Sequence, residues 1–278
     1  MLSRYLTCAG REIHFTEWGA PSDPPVIMWH GLARTGRDFD DIAGTLASTY
    51  RVICPDTLGR GLSAWAVKPA EEYNQPFYGK IALDLLAQLK IDKLRWVGTS
   101  MGGLLGISLA GGALKGRITH LVVNDIGPIV EPDAVKRIAT YAGNPPVFDT
   151  LEALEQWFRT TYAPFGIKTD GGWRALMETS ARRMDNGKVT VHYDPRIVQG
   201  MASAVAVSDP WAAYDQITCK TLLLRGKASD VISSVTAQAM TQRGPKARLV
   251  EFAGYGHAPP LIDMDQQRAV TDFLAERA

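Results

Sequence analysis

The chain has 278 residues and a net charge of +1, with 46% apolar and 21% charged residues. This length suits one large α/β domain carrying an insertion. The balanced charge, without a basic tract, argues against nucleic acid or a membrane surface as a partner. The three cysteines, Cys8, Cys54 and Cys219, have neither a metal-ligand spacing nor the pattern of a disulfide framework. No apolar stretch resembles a signal peptide or reaches the length of a membrane span, so we expect a soluble, cytoplasmic protein.

The first two predicted strands, 3–8 and 11–17, form a hairpin, and buried-strand patterns then alternate with helical patterns. The buried strands are predicted at 26–29, 51–54, 94–97, 119–123, 221–224 and 248–252. The helices are predicted at 38–48, 75–90, 101–115, 233–243 and 263–277. Such alternation predicts a mostly parallel, eight-stranded sheet flanked by helices, with the hairpin as its antiparallel edge.

One stretch, 127–214, interrupts the alternation after the sixth strand and contains no predicted strand. Helices are predicted there at 131–142, 149–161, 171–184 and 195–206. We therefore divide the chain into a core, 1–126 and 215–278, and an inserted helical cap, 127–214, over the carboxyl ends of the strands, where open α/β sheets bind ligands. The alternative is a second packing domain with no role in substrate binding.

The most informative motif is Gly98-Thr99-Ser100-Met101-Gly102, between a predicted strand and a predicted helix. Glycine flanks allow neighbouring backbone to approach closely, and a sharp strand-to-helix turn exposes the serine hydroxyl above the helix N-terminus. The motif alone also fits a glycine-rich turn whose serine caps the helix. Ser100 is the candidate nucleophile if a base and an acid accompany it.

A serine needs a general base, and the base needs an orienting carboxylate. His257 follows Gly254 and Gly256 in the loop after the last predicted strand, and Asp230 follows the preceding strand. Taken singly, His257 fits an ordinary loop histidine, and Asp230 fits the N-cap of the next helix. In the chain order Ser, Asp, His, the three predict a catalytic triad.

An oxyanion needs two donors aimed at one point. The backbone N–H of Met101 at the start of the helix is one candidate, and that of Leu32, on the His30-Gly31 turn after the first buried strand, is the other. We expect His30 itself to be structural.

These motifs together resemble the α/β-hydrolase superfamily, over essentially the whole chain. The matching segments, in family order, are the His30-Gly31 turn, the run from Asp56 to Ser63, the Ser100 turn, the Asp230 loop and the His257 loop. The resemblance is to the branch with a lid and a serine nucleophile, which includes esterases and meta-cleavage hydrolases. A serine at this turn argues against the dehalogenases and epoxide hydrolases of the same fold, which have an aspartate there.

The resemblance implies that Ser100 forms an acyl-enzyme, that His257 transfers the protons, that Asp230 orients His257, and that no metal or organic cofactor takes part. Some family members take the acid from the end of the middle strand, which makes Asp125 the alternative to Asp230. The expected substrate is a small-molecule carboxylic ester.

Several alternatives remain open from the sequence. A lactone, a thioester or a carbon–carbon bond of an aromatic-degradation intermediate would suit the same motifs, and so would a lyase or a non-catalytic ligand receptor. Arg34 is a candidate for binding a substrate carboxylate, although it also fits a solvated loop arginine. His192, Tyr193 and Trp211 are further candidate substrate contacts in the insertion. The oligomeric state is not indicated.

Overall fold

A computed structural model of the chain describes residues 1–200 and 209–277. Its main sheet has eight strands in the order β1-β2-β4-β3-β5-β6-β9-β10. They are β1 (Leu2–Cys8), β2 (Arg11–Trp18), β3 (Pro25–Trp29), β4 (Arg51–Pro55), β5 (Leu94–Thr99), β6 (Ile118–Asn124), β9 (Lys220–Gly226) and β10 (Arg248–Phe252). The first two strands pair antiparallel at one edge of the sheet. The other six strands are all parallel to one another. The predicted α/β fold with an antiparallel edge is confirmed.

Helices cover both faces of this sheet. They are α1 (Asp40–Leu46), α2 (Pro69–Glu72), α3 (Gln75–Gln88), α4 (Met101–Gly111), α9 (Ser234–Gln242) and α10 (Met264–Leu274). The buried strands supply one hydrophobic cluster on each face, because successive side chains of a strand point to opposite sides. In β3, Ile27 and Trp29 join one cluster, whereas Val26 and Met28 join the other. No helix in the described ranges is long and apolar enough to cross a membrane.

Between β6 and β9 the chain leaves the main sheet. This stretch contains α5 (Pro132–Gly143), α6 (Leu151–Thr161), α7 (Asp170–Ser180), β7 (Ala181–Arg183), β8 (Val189–Val191) and α8 (Ala212–Asp215), with 3₁₀ turns at Ala163–Phe165 and Pro195–Gly200. The helix predicted over 195–206 is thus a 3₁₀ turn in its first part, and 201–208 lie outside the described residues.

The insertion also contains an antiparallel hairpin, β7–β8, which corrects the expectation of helices alone. The helix predicted over 171–184 is wrong at its end, because 181–183 are strand. The physical reason is local: Asn186-Gly187 is a strong hairpin-turn sequence, Gly187 has φ +80°, and the β-branched residues of β8 favour a strand.

Candidate active site

Ser100 lies at the topological switch point of the sheet. The chain passes from β3 to β4 on one side and then returns to β5 on the other side of β3. The loops after β3 and β5 therefore diverge and leave a crevice at the carboxyl end of the sheet. Ser100, between β5 and α4, has φ +52° and ψ −116°, a conformation that non-glycine residues rarely adopt.

The glycines around Ser100 are required by close backbone packing. A Cβ on Gly102 would lie 2.0 Å from the carbonyl oxygen of Trp29, and one on Gly98 would lie 2.2 Å from that of Gly102. These contacts press α4 against β3 and β5. The strained turn is thereby held in place by its surroundings, as is common at functional sites.

His257 contacts Ser100 as the sequence predicts. Its Nε2 lies 2.9 Å from Ser100 Oγ, and its Nδ1 faces a carboxylate. The loop that carries His257 packs under the insertion, where the N–H of Gly256 donates to the carbonyl oxygen of Pro164 at 2.6 Å. The insertion and the His257 loop therefore support one another.

The carboxylate that faces His257 is that of Asp125, at the end of β6. His257 Nδ1 lies 2.8 Å from Asp125 Oδ2, and Asp125 is fully buried. The same carboxylate accepts from the N–H of Gly226 at 2.8 Å and from Ser229 Oγ at 2.6 Å. With the N–H of Gly226 and the hydroxyl of Ser229 fixing this carboxylate, it is placed to accept from His257 Nδ1 and so to hold the Nδ1–H tautomer of the ring.

The prediction that Asp230 contacts His257 is wrong. Its carboxylate forms a two-pronged ion pair with Arg137 of α5, at 2.8 and 2.9 Å, and its side chain is 47% exposed. It is not an N-cap either, since Ser233 caps α9. In this loop Ser229, not Asp230, points at the site. Ser229 was not predicted as a site residue, and its signal in the sequence is its place beside Asp230.

The loop after β3 carries Leu32, which lines the larger of two cavities together with Met101. Burial lowers the pKa of His30 to about 4, so this side chain is neutral at physiological pH. Its Nδ1 donates to the carbonyl oxygen of Gly31 at 2.6 Å, and its Nε2 accepts from the N–H of Thr57 at 2.9 Å. His30 therefore ties the Gly31 turn to the loop after β4, a structural role.

Arg60 joins the two residues expected to supply the oxyanion donors. This fully buried side chain donates from Nε to the carbonyl oxygen of Leu32 at 2.8 Å, and its Nη2 lies 3.6 Å from Met101 Sδ. Its guanidinium also packs against the rings of Tyr73 and Tyr78, at 5.6 and 5.2 Å from their centroids. Arg60 had no predicted role, although it lies in the run from Asp56 to Ser63.

Two cavities meet at Ser100 and Leu32. One, of about 150 Å³, is also lined by His257, Arg34 and Tyr162. The other, of about 280 Å³, has mainly apolar walls and is also lined by Met101. The serine hydroxyl is thus accessible from two sides.

Of the predicted substrate contacts, Arg34 lines the smaller cavity, whereas His192, Tyr193 and Trp211 line neither. His192 joins the hairpin to the Asp56 loop through its backbone, whose carbonyl oxygen accepts from the N–H of Gly61. Tyr193 is buried in the core, and burial raises the pKa of its hydroxyl. The guanidinium of Arg243 packs over Trp211, 4.4 Å from the centroid of the tryptophan ring. Tyr193 and Trp211 thus serve in packing and His192 contributes through its backbone, which corrects their prediction as substrate contacts.

A second chain of hydrogen bonds has the same residue types. Ser3 Oγ lies 2.8 Å from His14 Nε2, and His14 Nδ1 lies 2.7 Å from Asp56 Oδ2. These residues line neither of the two cavities. A Ser-His-Asp chain therefore does not by itself identify a site, and the turn and the cavities distinguish Ser100.

The chain is similar to known hydrolases over most of its length. A model of the alpha/beta hydrolase family matches residues 26–272. A 3-hydroxybutyrate-oligomer hydrolase from Cupriavidus necator is 38% identical over 270 residues, which is 94% of this chain and 92% of that protein. A 2-hydroxymuconate semialdehyde hydrolase from a Pseudomonas species is 25% identical, over 99% of this chain and 94% of that protein.

Among solved structures, an alpha/beta hydrolase from Novosphingobium aromaticivorans has a TM-score of 0.89 and 34% identity, covering 98% of this chain and 97% of that one. The family model covers most of the chain, and the relatives align over nearly all of it. The protein is thus a hydrolase, and it belongs to the alpha/beta hydrolase family.

Proposed function

We propose that the protein hydrolyses carboxylic esters of small molecules, with Ser100 as nucleophile, His257 as general base and acid, and Asp125 as the orienting acid. The observation that carries this proposal is the chain of short hydrogen bonds from Asp125 through His257 to Ser100, at the point where two cavities meet. Residues 127–214 act in this proposal as the cap over the site.

Ser100 attacks the ester carbonyl while His257 Nε2 takes the hydroxyl proton. The resulting imidazolium is stabilised by Asp125 and then donates its proton to the leaving alkoxide. Water, activated by His257, attacks the acyl-enzyme and releases the acid. Ser229 and the N–H of Gly226 keep the Asp125 carboxylate oriented toward His257 Nδ1.

The backbone N–H groups of Leu32 and Met101 hold the oxyanion in this proposal. Leu32 lines both cavities, and Met101 begins α4, where N–H groups have no partner within the helix. A donor of this kind is worth roughly 3–4 kcal/mol in the transition state.

For the natural substrate, we propose a short ester of a hydroxyalkanoic acid. The support is the 38% identical relative, a 3-hydroxybutyrate-oligomer hydrolase, which aligns over nearly the full length of both chains. Carbon–carbon bond hydrolysis is a second candidate, favoured by the 25% identical 2-hydroxymuconate semialdehyde hydrolase. It would use the same three residues.

The test is hydrolysis of p-nitrophenyl acetate, butyrate and octanoate, and of 3-hydroxybutyrate dimer, by wild type, Ser100→Ala and Ser3→Ala. We expect Ser100→Ala to reduce kcat on the order of a millionfold, and Ser3→Ala to retain wild-type rates. Ser3 is the matched control because it also contacts a histidine, 2.8 Å away.

Equal rates in wild type and Ser100→Ala would refute serine esterase chemistry. No ester turnover together with cleavage of a ring-fission product would favour the carbon–carbon candidate. Ligand binding without any turnover would favour a receptor, and turnover without covalent labelling of Ser100 would favour a lyase.

A further inference from the structure

Ser100 lines both cavities, but each cavity is lined by a different second catalytic residue. His257 lines only the smaller one, of about 150 Å³, and Met101 lines only the larger one, of about 280 Å³. A general acid must reach the leaving oxygen within hydrogen-bond distance. In the proposed ester hydrolysis, the alcohol half of the substrate therefore lies in the smaller cavity and the acyl half in the larger one.

The smaller cavity has a buried cation in its wall. Arg34 is only 5% exposed, and its Nε and Nη2 donate to the carboxylate of Asp38 at 2.9 and 2.5 Å. Its Nη1 is buried and has no hydrogen-bond partner among the described residues. A buried donor left without an acceptor costs about 1–3 kcal/mol, more when it is charged, so a ligand that supplies the acceptor is favoured.

A second donor lies beside this cation. Tyr162, also in the wall of the smaller cavity, is 2% exposed, and its hydroxyl likewise has no partner within the part of the chain that the structure describes. The Arg34 guanidinium lies 5.3 Å from the centroid of the Tyr162 ring. A guanidinium N–H and a phenol O–H next to one another match the two oxygens of a carboxylate.

The other charged residues of this wall leave Arg34 as the candidate anchor. Arg37 pairs with Asp40, and its side chain is 37% exposed, so water screens it. Asp41 is exposed at the wall. In this wall Arg34 is the buried cation, and besides Asp38 its guanidinium interacts with the Tyr162 hydroxyl, the other group of the pair.

We propose that Arg34 and Tyr162 bind a carboxylate on the alcohol half of the substrate, which makes the enzyme selective for esters of hydroxycarboxylic acids that have a free carboxyl end. The inference rests on the proposed function and adds the direction in which the substrate lies. The leaving group is a hydroxycarboxylate, and cleavage occurs at the ester bond nearest the free carboxyl end.

The test uses two substrates whose alcohol halves differ in charge: butyryl-3-hydroxybutyrate with a free carboxylate, and its methyl ester, each followed by the release of butyrate. The readout is the ratio of kcat/KM for the anion to that for the methyl ester. We expect a wild-type ratio of roughly 10–100, the equivalent of a charged hydrogen bond worth about 1.5–3 kcal/mol. Arg34→Gln should bring the ratio close to one, mainly through KM for the anion.

Four further variants separate binding from packing, since Arg34 also lies 5.9 Å from the ring centroid of Phe158 and supports α6. Arg34→Lys keeps the charge but loses the planar fork, and should recover only part of the ratio. Tyr162→Phe should lower the ratio several-fold. Asp38→Asn removes the competing carboxylate and should raise the ratio. Arg37→Gln is the matched control, a second arginine of the same wall, and should leave the ratio at the wild-type value.

A wild-type ratio near one, with both esters hydrolysed in a Ser100-dependent manner, would overturn the inference while leaving the proposed function intact. An equal loss on both esters in Arg34→Gln, with no rise in Asp38→Asn, would also overturn it, because that is the effect expected of a packing residue. Failure to hydrolyse either ester would count against the proposed function itself.

Discussion

Replacing Asp125 by Asn tests which aspartate orients His257. Asp125 is fully buried, and its Oδ2 lies 2.8 Å from His257 Nδ1. Asn has nearly the same shape, so the packing is kept, its amide oxygen can still accept from the N–H of Gly226, and its NH2 group can donate to Ser229 Oγ. The substitution removes the negative charge and presents an amide that either donates to the ring or favours the wrong tautomer.

The expected loss follows from two effects. An imidazolium and a carboxylate about 4 Å apart attract one another by roughly 4 kcal/mol at an effective dielectric constant near 20, which is about a thousandfold in rate. The wrong tautomer adds to this, and the same substitution in a serine protease triad reduces kcat about 10⁴-fold. We therefore expect Asp125→Asn to reduce kcat for p-nitrophenyl butyrate by 10³- to 10⁴-fold, on the order of those estimates.

Asp230→Asn is the matched control. It removes one partner of an exposed ion pair with Arg137, and such pairs contribute about 0–1 kcal/mol to stability. We expect its kcat to stay within about threefold of wild type. Steady-state kinetics on both variants, with circular dichroism to verify folding, decide the matter. A severe loss in Asp230→Asn together with near-normal activity in Asp125→Asn would refute the assignment.

The remaining predictions concern stability. Burial lowers the pKa of His30 from its ordinary value of 6.5 to about 4. As the pH falls below 6.5, the unfolded chain therefore binds a proton at this residue before the folded chain does. The stabilisation from neutral His30 is complete above pH 6.5, and about 2 kcal/mol of it should be lost at pH 5. Urea unfolding at pH 7.5 and at pH 5 should show this loss in the wild type but not in His30→Gln. Gly102→Ala should destabilise the fold by 1–3 kcal/mol or more, because its Cβ would lie 2.0 Å from a backbone oxygen. Gly79→Ala, inside α3 with only an ordinary 3.9 Å contact, should instead stabilise it by about 0.5–1 kcal/mol, and equal melting shifts for the two would contradict the packing explanation.

The sheet was predictable from sequence because burial on both faces leaves a continuous apolar pattern. All eight main strands occur where such runs or the initial alternating pattern predict them. The Ser100 turn was predictable for a related reason, since glycines at 98 and 102 report close backbone contacts that a side chain would block. Such constraints determine the residue types at neighbouring positions, so they can be recognised in the sequence.

The carboxylate partner of His257 was less predictable because it depends on how two loops converge. β6 and β9 are neighbours in the sheet, so the loops after them end side by side. Asp125 and Asp230 were both plausible from their positions after these strands. Only the backbone conformation of each loop decides which side chain turns inward, and Asp125 does so with φ +57°.

The insertion was predicted least well, for the same physical reason. Its aromatic residues indicated burial, but a buried tyrosine or tryptophan packs equally well into a core or against a ligand. Tyr193 and Trp211 pack away from the two cavities, whereas Tyr162 lines the smaller one. The difference between them arises from tertiary packing that no local pattern encodes.

The convergence of the two loops has a consequence that can be measured. Ser229 Oγ lies 2.6 Å from Asp125 Oδ2. A carboxylate introduced at position 229 would therefore lie close to the Asp125 carboxylate position. We expect Asp125→Asn combined with Ser229→Asp to recover at least tenfold of the activity lost in Asp125→Asn alone, because the new carboxylate can accept from His257 Nδ1. Asn is the appropriate partner at 125, since it tolerates the positive φ of that position. The control is the triple variant that also has Asp230→Ala. If it recovers as much activity as the double variant, the recovery comes from the carboxylate at position 229 and not from Asp230. No recovery in the double variant would mean that the loop after β9 cannot present a carboxylate to His257, and that the geometry of β6 alone specifies the acid.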